Sequence, residues 1–119
     1  MGANFDLVTL DVPSPDVSAV FWSAVLGLHE VEREDGDRWV VLADEHGVRR
    51  LGLQRGVARP GGVHLDLVCG AAEFDAEVHR LVHLGAVLQG AVRDMPWGRM
   101  ANLVDPDGYA VDLCAYSDG

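Results

Sequence analysis

Val8-Thr9-Leu10-Asp11-Val12 and Val63-His64-Leu65-Asp66-Leu67 are one phrase written twice. Two further echoes follow in the same order: Leu26-Gly27 with Leu84-Gly85, and Asp44-x-x-Gly47 with Asp105-x-x-Gly108. The spacing between copies widens from 55 to 58 to 61 residues, so the second half carries the same elements with two short insertions. A duplicated module is the simplest account. Paired modules enclose a hollow, and its lining is found by matching one copy to the other.

The residues around each echo set the elements. Residues 5–12 read as a strand stopped by Pro13. Ser14-Pro15-Asp16 supplies an N-cap, a first-turn proline and an acid, which predicts a helix. Its apolar stripe is Val17, Val20, Phe21, Ala24, Val25 and Leu28, with Trp22 beside it as core and Gly27 as the stop. Three strands follow near 28–33, 38–43 and 49–54, separated by turn formers at 35–37 and 45–47. Residues 55–62, rich in glycine, read as a linker. The order then restarts: a strand at 63–69, a helix at 71–84 carrying Phe74, Val78, Leu81 and Val82, and strands near 86–91, 99–104 and 109–115. The fold class is therefore α+β. Two βαβββ modules, about 5–54 and 63–116, make one domain. One helix covers one face of a four-stranded sheet, so the two uncovered faces are expected to meet around a shared cleft.

Composition narrows the chemistry. Nineteen acidic residues against nine basic ones give a formal charge of -10, which repels nucleic acid and anionic membranes. All nine basic residues are Arg; with no Lys, Schiff-base chemistry is excluded. The start, Met1-Gly2-Ala3-Asn4-Phe5-Asp6, has neither a basic nor an apolar leader region, and no apolar run is long enough to span a bilayer. A cytoplasmic location is expected. Cys69 and Cys114 are then read as buried thiols without a disulfide. The serines sit in no nucleophile-elbow or phosphate-cradling motif, so covalent catalysis and nucleotide hydrolysis drop out.

Strand parity picks out the polar candidates. His64, Asp66 and Val68 share one face and Val63, Leu65, Leu67 and Cys69 the other, so the apolar set belongs under the helix and His64 and Asp66 face the cleft. Thr9 and Asp11 face it by the same count. Asp112, between Val111 and Leu113, is sent the same way and needs a partner such as His64, Arg99, a metal or a ligand cation. Two readings stand for His64, Asp66 and Asp112: hydrogen-bonded structural groups, or ligand-binding ones with His64 as a general base. Trp39, Trp97 and Met100 are the aromatic and soft apolar candidates. The segment 94–99 reads as a lid or pocket edge, with Arg99 as its cation. His79 and His83 flank the second helix stripe and read as a solvated face.

With these pieces in hand, a family resemblance emerges. Phe21-Trp22-Ser23-Ala24-Val25-Leu26-Gly27-Leu28, Val63 to Leu67, Leu84-Gly85-Ala86, and Trp97-Gly98-Arg99-Met100 leading into Asp105-Pro106-Asp107-Gly108-Tyr109 resemble the vicinal oxygen chelate superfamily, the glyoxalase, bleomycin-resistance and extradiol-dioxygenase group. The resemblance implies paired βαβββ modules. It also implies metal ligands, where a metal is used, on the first and last strands of each module. Those positions are Thr9 and His64, then Leu51 and Asp112, each of the latter four residues after its turn glycine. Only His64 and Asp112 can ligate, short of the roughly three protein ligands of catalytic zinc. The expected function is binding of a small organic molecule in an aromatic cleft lined by Thr9, Asp11, Trp39, His64, Asp66, Trp97, Arg99, Met100 and Asp112. No complete metal site and no cofactor are expected; a divalent ion, if used, would fall to His64 and Asp112. The alternative is a lyase, isomerase or ring-opening enzyme using those two residues. The expected partners are a small-molecule ligand and a second copy in a homodimer, with modules paired within one chain or swapped between two.

Overall fold

The computed structural model describes residues 5–117; the leader reading at Met1 to Asn4 lies outside them. The chain divides into two compact units, residues 1–59 and 60–119. In the first, β1 (Val8–Val12), α1 (Pro15–Leu26), β2 (His29–Glu34), β3 (Trp39–Ala43) and β4 (Arg49–Arg55) form a sheet of order β1-β4-β3-β2. In the second, β5 (His64–Val68), α2 (Phe74–Leu84), β6 (Val87–Leu88), β7 (Arg93–Met95), β8 (Gly98–Val104) and β9 (Ala110–Tyr116) give β5-β9-β8-β6, with β7 also on β8. Each unit pairs its first strand with its last in parallel. Both follow the βαβββ order, the second with one extra short strand, β7. Among the described residues no helix is long and apolar enough to cross a membrane.

The local signals act as their chemistry dictates. Ser14 Oγ accepts from the Val17 N–H at the start of α1, Pro15 occupies its first turn, and Gly27 closes it with φ 66°. The buried side of α1 is Pro15, Ser18, Phe21, Trp22 and Val25. Val17 and Val20, expected on the stripe, are 61% and 74% exposed, whereas Trp22 is fully buried. The helix is rolled toward its largest ring, which removes more apolar surface from water than either valine. Under it lie Leu10, Val12, Val40, Leu42, Leu51 and Leu53, alternate residues of three neighbouring strands. In the second module Phe74, Val78 and Leu81 of α2 belong to the core with Leu103, Val111 and Leu113.

The two insertions have definite places. A 3-10 turn, Ala71–Glu73, precedes α2 where α1 has none. The strand expected at 86–91 shortens to β6, Val87–Leu88, ahead of Gly90, φ 77°, and β7 follows where the sequence predicts no strand. The third echo is conserved atom for atom. Asp44 Oδ1 accepts from the His46 and Val48 N–H groups at 2.9 Å; Asp105 Oδ1 accepts from Asp107 at 2.9 Å and Tyr109 at 2.8 Å. Each turn aims the last strand of its module. Asp105 is 2% exposed, whereas the Asp44 side chain keeps 20% of its surface. Asp105→Ala is therefore expected to cost roughly 2–3 kcal/mol in urea unfolding, since it strands the buried Tyr109 N–H and the part-buried Asp107 N–H. Asp44→Ala should cost less, and equal losses would contradict the burial argument.

Candidate functional site

With a helix on one face of each sheet, the alternate residues of the strands populate the other. On the second sheet β9 contributes Asp112, Cys114 and Tyr116 to that open face, and the register places their neighbours in ranks. Asp112 stands opposite Asn102 of β8 and Asp66 of β5; Cys114 stands opposite Met100 and Val68; Tyr116 stands opposite Gly98. A polar rank, a soft apolar rank and an aromatic rank thus lie side by side. The last is completed by Trp97, whose ring centroid is 5.1 Å from that of Tyr116. A groove of about 660 Å³ runs along the ranks, lined by Asp66, Val68, Trp97, Met100, Cys114 and Tyr116.

The polar rank is internally bonded. Asn102 Nδ2 donates to Asp112 Oδ1 at 2.7 Å. Arg93 donates to Asn102 Oδ1 at 2.8 Å and to the Met100 sulfur at 2.9 Å. His64 Nε2 lies 3.3 Å from Asp66 Oδ2. Ligand atoms of His64, Asp66 and Asp112 all fall within 4.8 Å of one another. Burial, with Asp112 and Asp66 nearby, raises the Cys114 thiol above its ordinary value, so it stays protonated near neutrality.

The candidates of the sequence are distributed unevenly. His64, Asp66, Asp112, Met100 and Trp97 come together on this face. Arg99 does not. Its neighbours Ala101 and Leu103 are helix-side, and its guanidinium lies over the Phe74 ring at 4.8 Å, bonded to Asp75 at 2.8 Å and Asp94 at 3.2 Å. Among the described residues the guanidinium bonded into the polar rank is that of Arg93, and its link is Asn102; neither was singled out by sequence. Alternation of Met100, Asn102 and Val104 with the apolar Ala101 and Leu103 was the available signal for Asn102. The segment expected as a lid is a tight turn between β7 and β8. The Trp97 carbonyl accepts from the Ser117 N–H at 2.9 Å, and a side chain at Gly98 would collide with the Ala115 carbonyl.

The first module fills the same ground differently. Counting four residues past Gly47 led to Leu51, yet Leu51 is buried on the helix side. A bulge shifts the β3–β4 register between Leu42 and Ala43, so Leu42 pairs with Leu51 and Ala43 with Arg49, leaving Arg50 extra. The true counterpart of Asp112 is Gly52, and its partner on β1 is Thr9. By the same register the counterpart of Thr9 is Asp66, with His64 two residues away opposite Ala110. A Cβ on Gly52 would sit 2.5 Å from Trp39 Cη2 and 2.9 Å from Thr9 Oγ1, so the indole lies across the glycine. Asp11 is placed opposite Gln54.

Trp39 is anchored by charge. Its Nε1 donates to Glu32 at 2.6 Å, and Arg49 bridges Glu32 at 2.8 Å to Asp6 at 2.9 Å. The Arg49 bond, with Trp39 second, holds the Glu32 carboxyl below its ordinary range.

The sequence profile of the glyoxalase-like domain matches residues 7–114. No curated protein matches the chain. Among solved structures, a protein of Agrobacterium tumefaciens determined by solution NMR is 22% identical, with a TM-score of 0.79 over 98% of this chain and 99% of that one. The fosfomycin resistance protein FosX of Listeria monocytogenes is 17% identical, with a TM-score of 0.78 over 98% and 96%. TnmS3, an antibiotic binding protein from Streptomyces sp. CB03234, is 26% identical, with a TM-score of 0.70 over 98% and 99%. The first two are likenesses of fold alone.

The lowered Glu32 carboxyl has a measurable consequence. Its contribution to stability is present above the unfolded value near 4.5 and is lost as pH falls through the lower folded value. The Trp39 indole N–H resonance should therefore titrate below 4.5, and Arg49→Ala should raise that midpoint. An unmoved midpoint would remove Arg49 as the cause.

Proposed function

The chain belongs to the glyoxalase-like domain family, and from that premise we propose that it binds a small organic molecule on the open face of its second sheet, without a tightly held metal. The observation that carries this reading is the groove in which Trp97 and Tyr116 stand beside Met100, Val68 and Cys114. A concave, largely apolar lining with a few convergent polar groups is the usual form of a small-molecule site. The likeness to an antibiotic binding protein is in keeping with it. A flat apolar body lies along the soft and aromatic ranks, and its polar end meets the rank of Asp66, Asp112 and Asn102. In the first module Trp39 with Thr9, Asp11 and Gln54 is a second surface of the same kind, smaller because the indole already occupies the Gly52 position. With burial raising the Cys114 thiol, the groove holds no ready sulfur nucleophile.

A second reading is favoured by one observation, the convergence of His64, Asp66 and Asp112. One imidazole and two carboxylates suit a divalent ion of borderline to hard character. Such an ion would polarise an oxygen of the bound molecule. In the metal-free form of this alternative His64 instead takes up a proton, and Asp66, 3.3 Å away, steadies the imidazolium. This is the lyase, isomerase or ring-opening alternative, with Asp66 added to its residues.

Two measurements separate the readings. In the presence of EDTA, 2-naphthylmethanol is expected to quench tryptophan emission, and Trp97→Ala to weaken its binding about tenfold. Unchanged affinity in the variant would remove Trp97 from the site. After dialysis against Mn²⁺ or Zn²⁺, the metal-free reading expects no stoichiometric ion; one ion per chain, lost in both His64→Ala and Asp66→Asn, would establish the second reading instead.

A further inference from the structure

We infer that Asn102 is the specificity-determining residue of the groove, and that its hydrogen-bond relay selects a ligand with a protonated amine head over one with a carboxylate. The inference rests on the reading of the groove as a small-molecule site. Its starting point is the orientation of the Asn102 amide. Arg93 donates to Oδ1 at 2.8 Å, so the oxygen faces the guanidinium and Nδ2 must face Asp112, to which it donates at 2.7 Å. The amide therefore stands between the cation and the carboxylate. Arg93 donates through Nη2 to the amide oxygen and to the Met100 sulfur, and among the ion pairs of the described residues it has none.

The consequence lies across the sheet. Asp112 stands directly opposite Asp66, a like-charged pair that destabilises unless a cation or donor intervenes. Asp112 receives a neutral amide donor, and Asp66 has His64 3.3 Å away. Neither carboxylate takes Arg93, so the polar end of the groove keeps its negative charge. Asp66 belongs to the groove wall together with Val68, Trp97 and Met100, which ties that charge to an apolar body. A ligand fitting both parts carries a flat or branched apolar portion and a cationic, donor-rich head. A carboxylate head would meet the two carboxylates Asp66 and Asp112, which repel it, before any cation. Asn102 acts through Asp112 and Arg93. With leucine at this position Arg93 loses its acceptor and Asp112 its donor, and the two charges are left to neutralise each other.

The test uses three matched probes on the whole chain in EDTA: 2-naphthylmethylammonium, 2-naphthylmethanol and 2-naphthoate, followed by tryptophan quenching. The wild type is expected to bind the ammonium about tenfold more tightly than the alcohol, and the carboxylate more weakly than either. In Asn102→Leu the ammonium advantage should fall to about twofold or less. Arg93→Met, which removes the guanidinium and leaves both carboxylates unneutralised, should keep or widen it, and the double variant Asn102→Leu/Arg93→Met should regain what Asn102→Leu loses. The ratio between probes is the readout, because a general loss of structure lowers all three affinities and leaves their order intact; thermal midpoints confirm folding of the exposed Arg93 variants. An unchanged ratio in Asn102→Leu, or a wild type that prefers the carboxylate, would overturn the inference while leaving the groove standing. No binding of any probe would take down the groove reading and this inference with it.

Discussion

Everything in this molecule depends on the pairing of each module's first strand with its last, side by side and parallel. Two parallel neighbours cannot be joined by a hairpin, so the chain must cross over, and it does so as a helix. That crossover puts α1 or α2 on one face of each sheet. The opposite face receives every second residue of four strands and no helix. Its chemistry is therefore a choice of alternate residues, independent of the residues that hold the core together.

The duplication lets that independence be seen directly. Both modules keep a glycine at the helix end, the same aspartate-closed turn and the same apolar alternation beneath the helix. At the paired centre of the open face, the first has Thr9 and Gly52, with the Trp39 indole lying over the glycine. The second has Asp66 and Asp112 with no side chain of that size between them, and the residue equivalent to Trp39 is Met100. One module has closed its centre with an indole tied to Glu32 and Arg49. The other keeps a groove. A large rigid ring and a pliable thioether at equivalent positions account for much of the difference.

The sequence showed the elements well because their signals are local. The Ser14 cap, the two turn aspartates and the period-two runs of β1 and β5 each depend on residues a few positions apart. It showed less where the outcome depends on register between strands. The Leu51 position was misplaced by a single bulged residue, Arg50, which flips the side of everything after it. Arg99 looked like the cation of the site because it lies next to Trp97 and Met100 in sequence. Adjacent residues of a strand point to opposite faces, and the even spacing that groups Met100 with Asn102 excludes Arg99. Segment 94–99 reads in sequence as a lid or pocket edge; it forms the turn from β7 to β8, where Gly98 permits close approach to β9 and Trp97 lines the groove.

The same geometry explains why His64 is not the centre of the site despite being its most reactive residue type. In the sequence echo it matches Thr9, which suggests that it faces the last strand at the critical point. The strand pairing shifts that role by two residues to Asp66, and His64 reaches the centre only through its contact with that carboxylate. A site built on a central carboxylate pair with an imidazole at its margin differs from one built on a central imidazole. In the proposed function, it attracts positive charge first and handles protons second. The relay from Arg93 through Asn102 to Asp112 belongs with that order, since it holds the nearest guanidinium one amide away from the charge it would otherwise neutralise.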